Sequence, residues 1–379
     1  MPTKLHEEIR NAYKSAIGKR REEIVTPALI LDLELARKNL SLMVARCRAL
    51  QVNLRPHIKV QKCAELALLE VQAGAIGVCC ATVWEAIIMA RSGIADVLIA
   101  NEVGGGQKIR ALAQAAKKHH LTVAVDDPGN ASELSAAISE EKARLDCLIE
   151  VDVGMGRGGV RSVRDAVDLA RHVADQPGLS LRGVQGYEGH CMHERERAVR
   201  ALKAKAAMDH LSEVVEALRK DGHRCEVVSA GGTGTYDITG ADRRVTELQA
   251  GSFIFMDLFH AGLVPGFEHS LTVLSTATIR HGQTIVFDAG RKSIGIDFVP
   301  PVMASHPEWQ ARYFAEEHAL FDVDERCTIS RNDVVELLPG YAPTTVNLYD
   351  VYHVVEQGVV VDVWPIVPRG AGHGGILDA

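Results

Sequence analysis

The 379-residue chain has no apolar run long enough to span a bilayer, no concentrated block of Lys and Arg, no Cys-x-x-Cys pair and no low-complexity segment. The first absence excludes a transmembrane helix. The second, with a net charge of −7, argues against nucleic acid as the partner, because phosphate contacts need clustered cations. The eight cysteines, at positions 47, 63, 79, 80, 147, 191, 225 and 327, form no even ladder, and Cys79 and Cys80 sit inside the apolar run "AIGVCCAT". They read as buried free thiols. The N-terminal "MPTKLHEEIRNAYKSAIGKRREE" lacks the apolar core of a secretory signal, so it reads as a surface helix of a cytoplasmic chain. A small-molecule ligand is the remaining expectation.

What is present is a rhythm. From Thr26 to about Phe259, short apolar runs such as "PALILDL", "VNLRPHIK", "DVLIANE", "LDCLIEVDV" and "CEVVSAGG" alternate with amphipathic segments such as "LARKNLSLMVARCRAL" and "RDAVDLARHVADQ". In "TVWEAIIMARSG", Trp84, Ile87, Ile88 and Arg91 fall at i, i+3, i+4 and i+7, and Gly93 stops the helix. Eight or nine such βα units with near-continuous apolar strands predict a closed parallel (β/α)8, TIM-like barrel over residues 25–265. After about Leu271 the runs become β-like and are joined by turns at His281-Gly282 and Gln357-Gly358, which predicts a mostly β unit over 266–379, with 1–24 packed against it.

In a parallel barrel, chemistry collects at the C-terminal ends of the strands, and Lys59, Asn101, Asp126, Asp127, Asp152, Tyr187 and Asp257 stand there. Lys59, in "LRPHIKVQK", is either a strand-capping lysine in solvent or a nucleophile whose pKa is lowered by apolar Ile58 and Val60 and by a second cation at Lys62. Arg157 lies among the glycines of "EVDVGMGRGGVR", either in a surface ion pair or against an anionic ligand. The loops "SAGGTGTYD" and "QAGSFIFMD" each put glycines and hydroxyls after an apolar strand. Either alone is ordinary turn chemistry; together they suit a phosphate cup of backbone N–H groups. Imine-forming lysine, arginine and phosphate cup together point to pyridoxal 5'-phosphate.

The motifs "TPALILDL", "RPHIKVQK", "EVDVGMGRGGV", "GYEGH", "SAGGTGTYD", "ELQAGSFIFMD" and "PTTVNLYDVYHVV" run in order over nearly the whole chain. In them the sequence resembles the fold-type III pyridoxal-phosphate enzymes related to alanine racemase, and within these the D-threonine aldolase and D-serine dehydratase family. The resemblance implies that Lys59 is the Schiff-base lysine, that Arg157 approaches the cofactor's 3′-oxygen and that Tyr187 lines its pocket. By the same resemblance Gly232, Thr233, Gly234, Gly251 and Ser252 lie at the phosphate, and the protein is a homodimer.

The sequence departs from that family at Gln61, where a second histidine is usual, and at Tyr341 and Pro343, where a divalent metal is usually bound. Proline offers no donor and a neutral phenol is a poor one, so the usual metal site is expected to be missing. His190 with His193, and Glu316, Glu317 and His318 with His373, are weaker alternatives for a metal. With no metal to hold the substrate's β-hydroxyl, a protein base has to serve, and His193, His190 and Tyr341 are candidates. Removing a proton is easier than expelling hydroxide. The expected activity is therefore that of a lyase cleaving a D-3-hydroxy amino acid to glycine, or a related amino acid, plus an aldehyde. Dehydration or racemisation on the same scaffold, and a non-catalytic cofactor carrier, stand as alternatives.

Overall fold

The computed structural model describes residues 4–370. Its first half is the expected barrel. Of eight parallel strands, Asn53–Leu54, Val78–Cys80, Asp96–Ile99, His120–Val125, Leu145–Glu150, Leu179–Gly186, Val227–Ala230 and Glu247–Leu248, the second to the seventh pair each with the next in sequence, and the last pairs with the first. Closure comes from the extension of the first strand: His57 bridges Cys79, with the Cys79 N–H donating to the Pro56 carbonyl at 2.8 Å and the Ile58 N–H to the Cys79 carbonyl at 2.8 Å. Strand residues such as Val97, Val123 and Ile149 are wholly buried, because the strands lie inside a ring of helices.

Local chemistry explains the helices. Val83–Arg91 starts where the Thr82 hydroxyl accepts from the Glu85 N–H, and it ends two residues before Gly93, whose φ of 100° no side chain accepts cheaply. Its expected apolar stripe is in fact nearly a full circumference: every residue from Val83 to Ala90 is buried. One reason is polar. Glu85 turns inward to take the Lys62 ammonium at 2.5 Å and the Ala81 N–H at 2.6 Å. Val163–Asp175 is capped in the same way by Ser162.

The strand Ala28–Asp32, expected in the barrel, belongs to the other sheet. It lies between Leu271–His281, antiparallel, and Val351–Glu356, parallel. A continuous apolar run states that a strand is buried on both faces but not which neighbours bury it. The remaining antiparallel strands of this second unit include the hairpin Val351–Glu356 and Val359–Pro365, turned at Gln357 and Gly358 with φ of 50° and 77°, as the primed hairpin turn requires. The N-terminal helix Lys4–Tyr13 buries none of its residues and is tied to this unit by Arg10 to Asp362 at 2.7 Å and Tyr13 to Asp350 at 2.9 Å. All eight cysteines are buried and free, and among the described residues no helix is long and apolar enough to cross a membrane.

Behind the first strand lies a buried acid. Glu70 accepts the Gln61 amide at 2.7 Å and is pushed by burial up to about 8, against the lowering pull of that bond. An acid raised above its free value of 4.5 contributes stability that is complete below that value and is lost as pH climbs towards about 8. Glu70→Gln is expected to remove this part of the decline: between about pH 5 and about pH 8 its unfolding free energy in urea falls less than that of the parent, by on the order of 1–4 kcal/mol. Parallel pH profiles for the two proteins would refute it.

Candidate active site

At the C-terminal end of the barrel strands lies a cavity of ≈ 890 Å³, counted with its open mouth. Lys59, Arg157, Tyr187, Gly232, Thr233, Gly251, Ser252 and Tyr341 all line it. Lys59 does not end a strand; strand pairing stops at His57, and Lys59 stands in the tight turn that follows. Its Nζ is 5.5 Å from the centre of the Tyr187 ring, and the Arg157 guanidinium carbon is 6.0 Å from the same ring. Burial lowers the Lys59 pKa, and the positive charge of Arg157 adds to the shift against the pull of Glu85. The cation expected to help was Lys62. That side chain is instead neutralised in its buried pair with Glu85, and Arg157 supplies the charge.

Arg157 is exposed and makes no ion pair among the described residues. Its loop is built by aspartates: Asp152 accepts the Gly154 and Gly156 N–H groups at 3.1 and 2.8 Å, and Asp126 accepts that of Gly159 at 2.9 Å. Gly159 sits at φ 98°, and a Cβ there would lie 2.6 Å from the Asp152 nitrogen. Asp127 caps the helix Pro128–Glu140. These three strand-end aspartates therefore shape loops and do not line the cavity.

The two late loops form one wall. The backbone N–H groups of Thr233, Gly234, Gly251 and Ser252, and the Ser252 hydroxyl, have no hydrogen-bond partner among the described residues, although all four residues are buried. Unpaired buried N–H groups are costly unless a ligand meets them, and a cluster of them suits an anion. The wall is held from behind by Glu188, wholly buried, which accepts the Gly231 N–H at 3.1 Å and the Thr235 and Thr239 hydroxyls at 2.6 and 2.5 Å. Gly234 itself backs onto Met192 and Leu263, outside the cavity lining.

His193 faces elsewhere. It lies in a neighbouring pocket with Arg195, Phe259 and Phe298. His190 packs under Gly154 with its Nδ1 buried and unpartnered. The Gln61 side chain turns away from the cavity to Glu70. His373 lies outside the described residues.

Several lining residues escaped the sequence reading. Gln185 and Gln249 form the floor, Gln249 donating to Gln185 at 2.7 Å and to Ser229 at 2.8 Å, and Gln185 to Glu150, whose acid burial raises to about 8. His57 lines the cavity beside Lys59, and burial, reinforced by the Lys59 charge, holds its pKa well down. His260 lines it too. Its Nδ1 is 2.7 Å from Asp257, and its ring stacks on that of Tyr341 at 6.0 Å and 18°. The spacing Asp257-x-x-His260 at a strand end was the available signal. The same aspartate also caps the short helix Leu258–Ala261.

The cavity fits pyridoxal phosphate: a half-buried lysine with a lowered pKa, an unpaired arginine across one ring and a free N–H cup share one wall system. The metal expected at Tyr341 and Pro343 in related proteins does not fit. Pro343 has no side-chain donor, and burial, with Asp257 and Asp297 nearby, pushes the Tyr341 phenol up to about 12. Among the described residues no three His, Cys, Asp or Glu side chains gather as a metal cluster.

Residues 31–258 match the family model of the alanine racemase N-terminal domain, and residues 269–355 that of a putative serine dehydratase domain. The chain is 37% identical over 351 residues to a D-threonine aldolase of Arthrobacter sp., covering 91% of this chain and 93% of that protein. It is 35% identical over 369 residues to a 3-hydroxy-D-aspartate aldolase of Paracoccus denitrificans (strain Pd 1222), covering 94% and 95%. Among solved structures, that of a D-threonine aldolase from Filomicrobium marinum superposes with a TM-score of 0.90 at 35% identity, over 93% of this chain and 98% of that one.

Proposed function

Because the chain belongs to the D-threonine aldolase and 3-hydroxy-D-aspartate aldolase family of fold-type III pyridoxal-phosphate enzymes, we propose that it cleaves a D-3-hydroxy amino acid between Cα and Cβ. The products are glycine, or a related amino acid, and an aldehyde. The observation that carries this reading is the placement of Lys59, with its lowered pKa, in one cavity with the free N–H cup.

Each residue has a task that follows from its chemistry. Lys59 anchors the cofactor covalently, and burial beside Arg157 favours the neutral amine that such bonding needs. The N–H groups of Thr233, Gly251 and Ser252 would hold the phosphate, and Glu188 keeps the Gly231–Thr235 loop in place. Tyr187 forms a face of the pocket, and Arg157, 6.0 Å from its ring, would meet the cofactor's 3′-oxygen. When bound, pyridoxal phosphate supplies the electron sink for the pair left on Cα. The β-hydroxyl must lose its proton to a base within hydrogen-bond reach.

The reading extends to a cytoplasmic homodimer. Phe298, 58% exposed and packed on Phe259 and Tyr341 beside the cavity, is a residue that a second copy would cover. Phe298→Ser is expected to shift the sedimentation of the protein from dimer to monomer, and a parent protein that sediments only as monomer would refute the dimer. For the activity, purified protein loaded with pyridoxal phosphate is incubated with D-threonine, D-phenylserine and 3-hydroxy-D-aspartate. Aldehyde release from at least one is expected. Bound cofactor with no aldehyde from any of them would remove the proposal, and a keto acid with ammonia would replace it by dehydration.

A further inference from the structure

We propose that His260 is the base that takes the proton of the substrate's β-hydroxyl, with Asp257 as its positioning residue; this rests on the aldolase reading above. The chain's own geometry builds the pair. Asp257 is 1% exposed, and each of its carboxylate oxygens is already spoken for: Oδ1 accepts the His260 backbone N–H at 2.9 Å and faces the His260 Nδ1 at 2.7 Å, while Oδ2 accepts the Ala342 N–H at 2.9 Å. Capping the four-residue helix Leu258–Ala261 needs only the first of these bonds. The bond to the ring does something else. It keeps the proton on Nδ1 and leaves the lone pair on Nε2, which has no partner among the described residues. A buried carboxylate that fixes the tautomer of a histidine at a cavity wall is the arrangement of a general base.

The ring is fixed on other sides as well. Tyr341 stacks on it, and Phe259 meets it edge-on at 5.1 Å and 86°. The segment carrying Tyr341 is bonded to the same turn, the Leu258 and Phe259 N–H groups donating to the Pro339 and Gly340 carbonyls at 3.2 and 3.1 Å. Both units of the chain thus hold one imidazole against one cavity. The other candidates serve less well: His193 lines the neighbouring pocket, and a phenol pushed up to about 12 is protonated at neutral pH.

The step balances without an added reactant beyond the cofactor. The β-hydroxyl proton passes to Nε2, the O–H pair becomes the second bond of the aldehyde carbonyl, the Cα–Cβ bond breaks, and its electron pair stays on Cα. A proton from solvent then reaches Cα to complete glycine, and Nε2 returns the proton it took to solvent.

The test uses the cofactor-loaded enzyme, freed of metal with chelator, and the three substrates above. His260→Phe keeps the ring stack. It is expected to retain the visible cofactor band and the spectral change on substrate addition while aldehyde release falls about 10²–10⁴-fold. Asp257→Asn keeps the cap acceptor and is expected to lower kcat about 10²-fold or more with KM little changed. His260→Ala is expected to regain turnover when free imidazole is added, which a packing role alone would not give. Turnover of His260→Phe within about tenfold of the parent, or parent turnover that disappears with chelator and returns with manganese, overturns the inference while leaving the aldolase reading standing. A parent that releases no aldehyde overturns the reading itself.

Discussion

Lys59→Ala is expected to bind pyridoxal phosphate without the visible absorbance of lysine-held cofactor and to turn over substrate at least about 10³-fold more slowly than the parent. Binding survives because the N–H cup, Glu188 behind it and Arg157 are all untouched. Covalent anchoring does not, because the nearby lysine cannot replace it: Lys62 is committed to Glu85 at 2.5 Å and to the Pro368 carbonyl at 3.1 Å. Borohydride reduction of the loaded parent followed by peptide mapping checks the same point, with the label expected on Lys59. Label on Lys62, or a Lys59→Ala protein that keeps its colour and turnover, would show that the lysine has been misassigned.

Gly251→Ala is the second large effect. At this position φ is −127°, outside the left-handed region; what forbids a side chain is contact, since a Cβ would stand 2.5 Å from the His57 carbonyl oxygen and 2.9 Å from a Val60 methyl. Gly251 therefore touches the turn that carries Lys59, and one methyl drives the phosphate loop and the lysine turn apart. A displacement of about 1 Å in a positioned site costs about 10²-fold. We expect cofactor affinity, measured by titrating apoprotein, to weaken by about that factor, with turnover at saturating cofactor reduced as well. Affinity within about threefold of the parent would mean that the two loops can part without cost.

How much of this was legible beforehand depended on the range of the interaction. The barrel was readable because its period is local, and Lys59, Arg157, Tyr187 and the glycine loops were readable because each ends an apolar run. Partners distant in sequence were not. Nothing near Lys62 announces Glu85 as its counter-ion, and nothing in "PALILDL" says that its neighbours are Leu271–His281 and Val351–Glu356. His193 and Lys59 both follow apolar runs, yet the turn after Gly189 aims His193 into a separate pocket. His260 was hidden for the opposite reason: its bond to Asp257 is so local that it reads as ordinary capping.

The strand Ala28–Asp32 has a consequence for how the protein is made. It leaves the ribosome before any barrel strand, but its two partners are the strands that begin at Leu271 and Val351. During synthesis the barrel strands, Asn53 to Leu248, can pair among themselves while this one waits with both edges bare. An unpaired apolar strand on a nascent chain is an invitation to association with other chains. The second unit can be completed only once Val351–Glu356 has been made, so a chain truncated before Val351 would carry a finished barrel attached to an open, sticky edge.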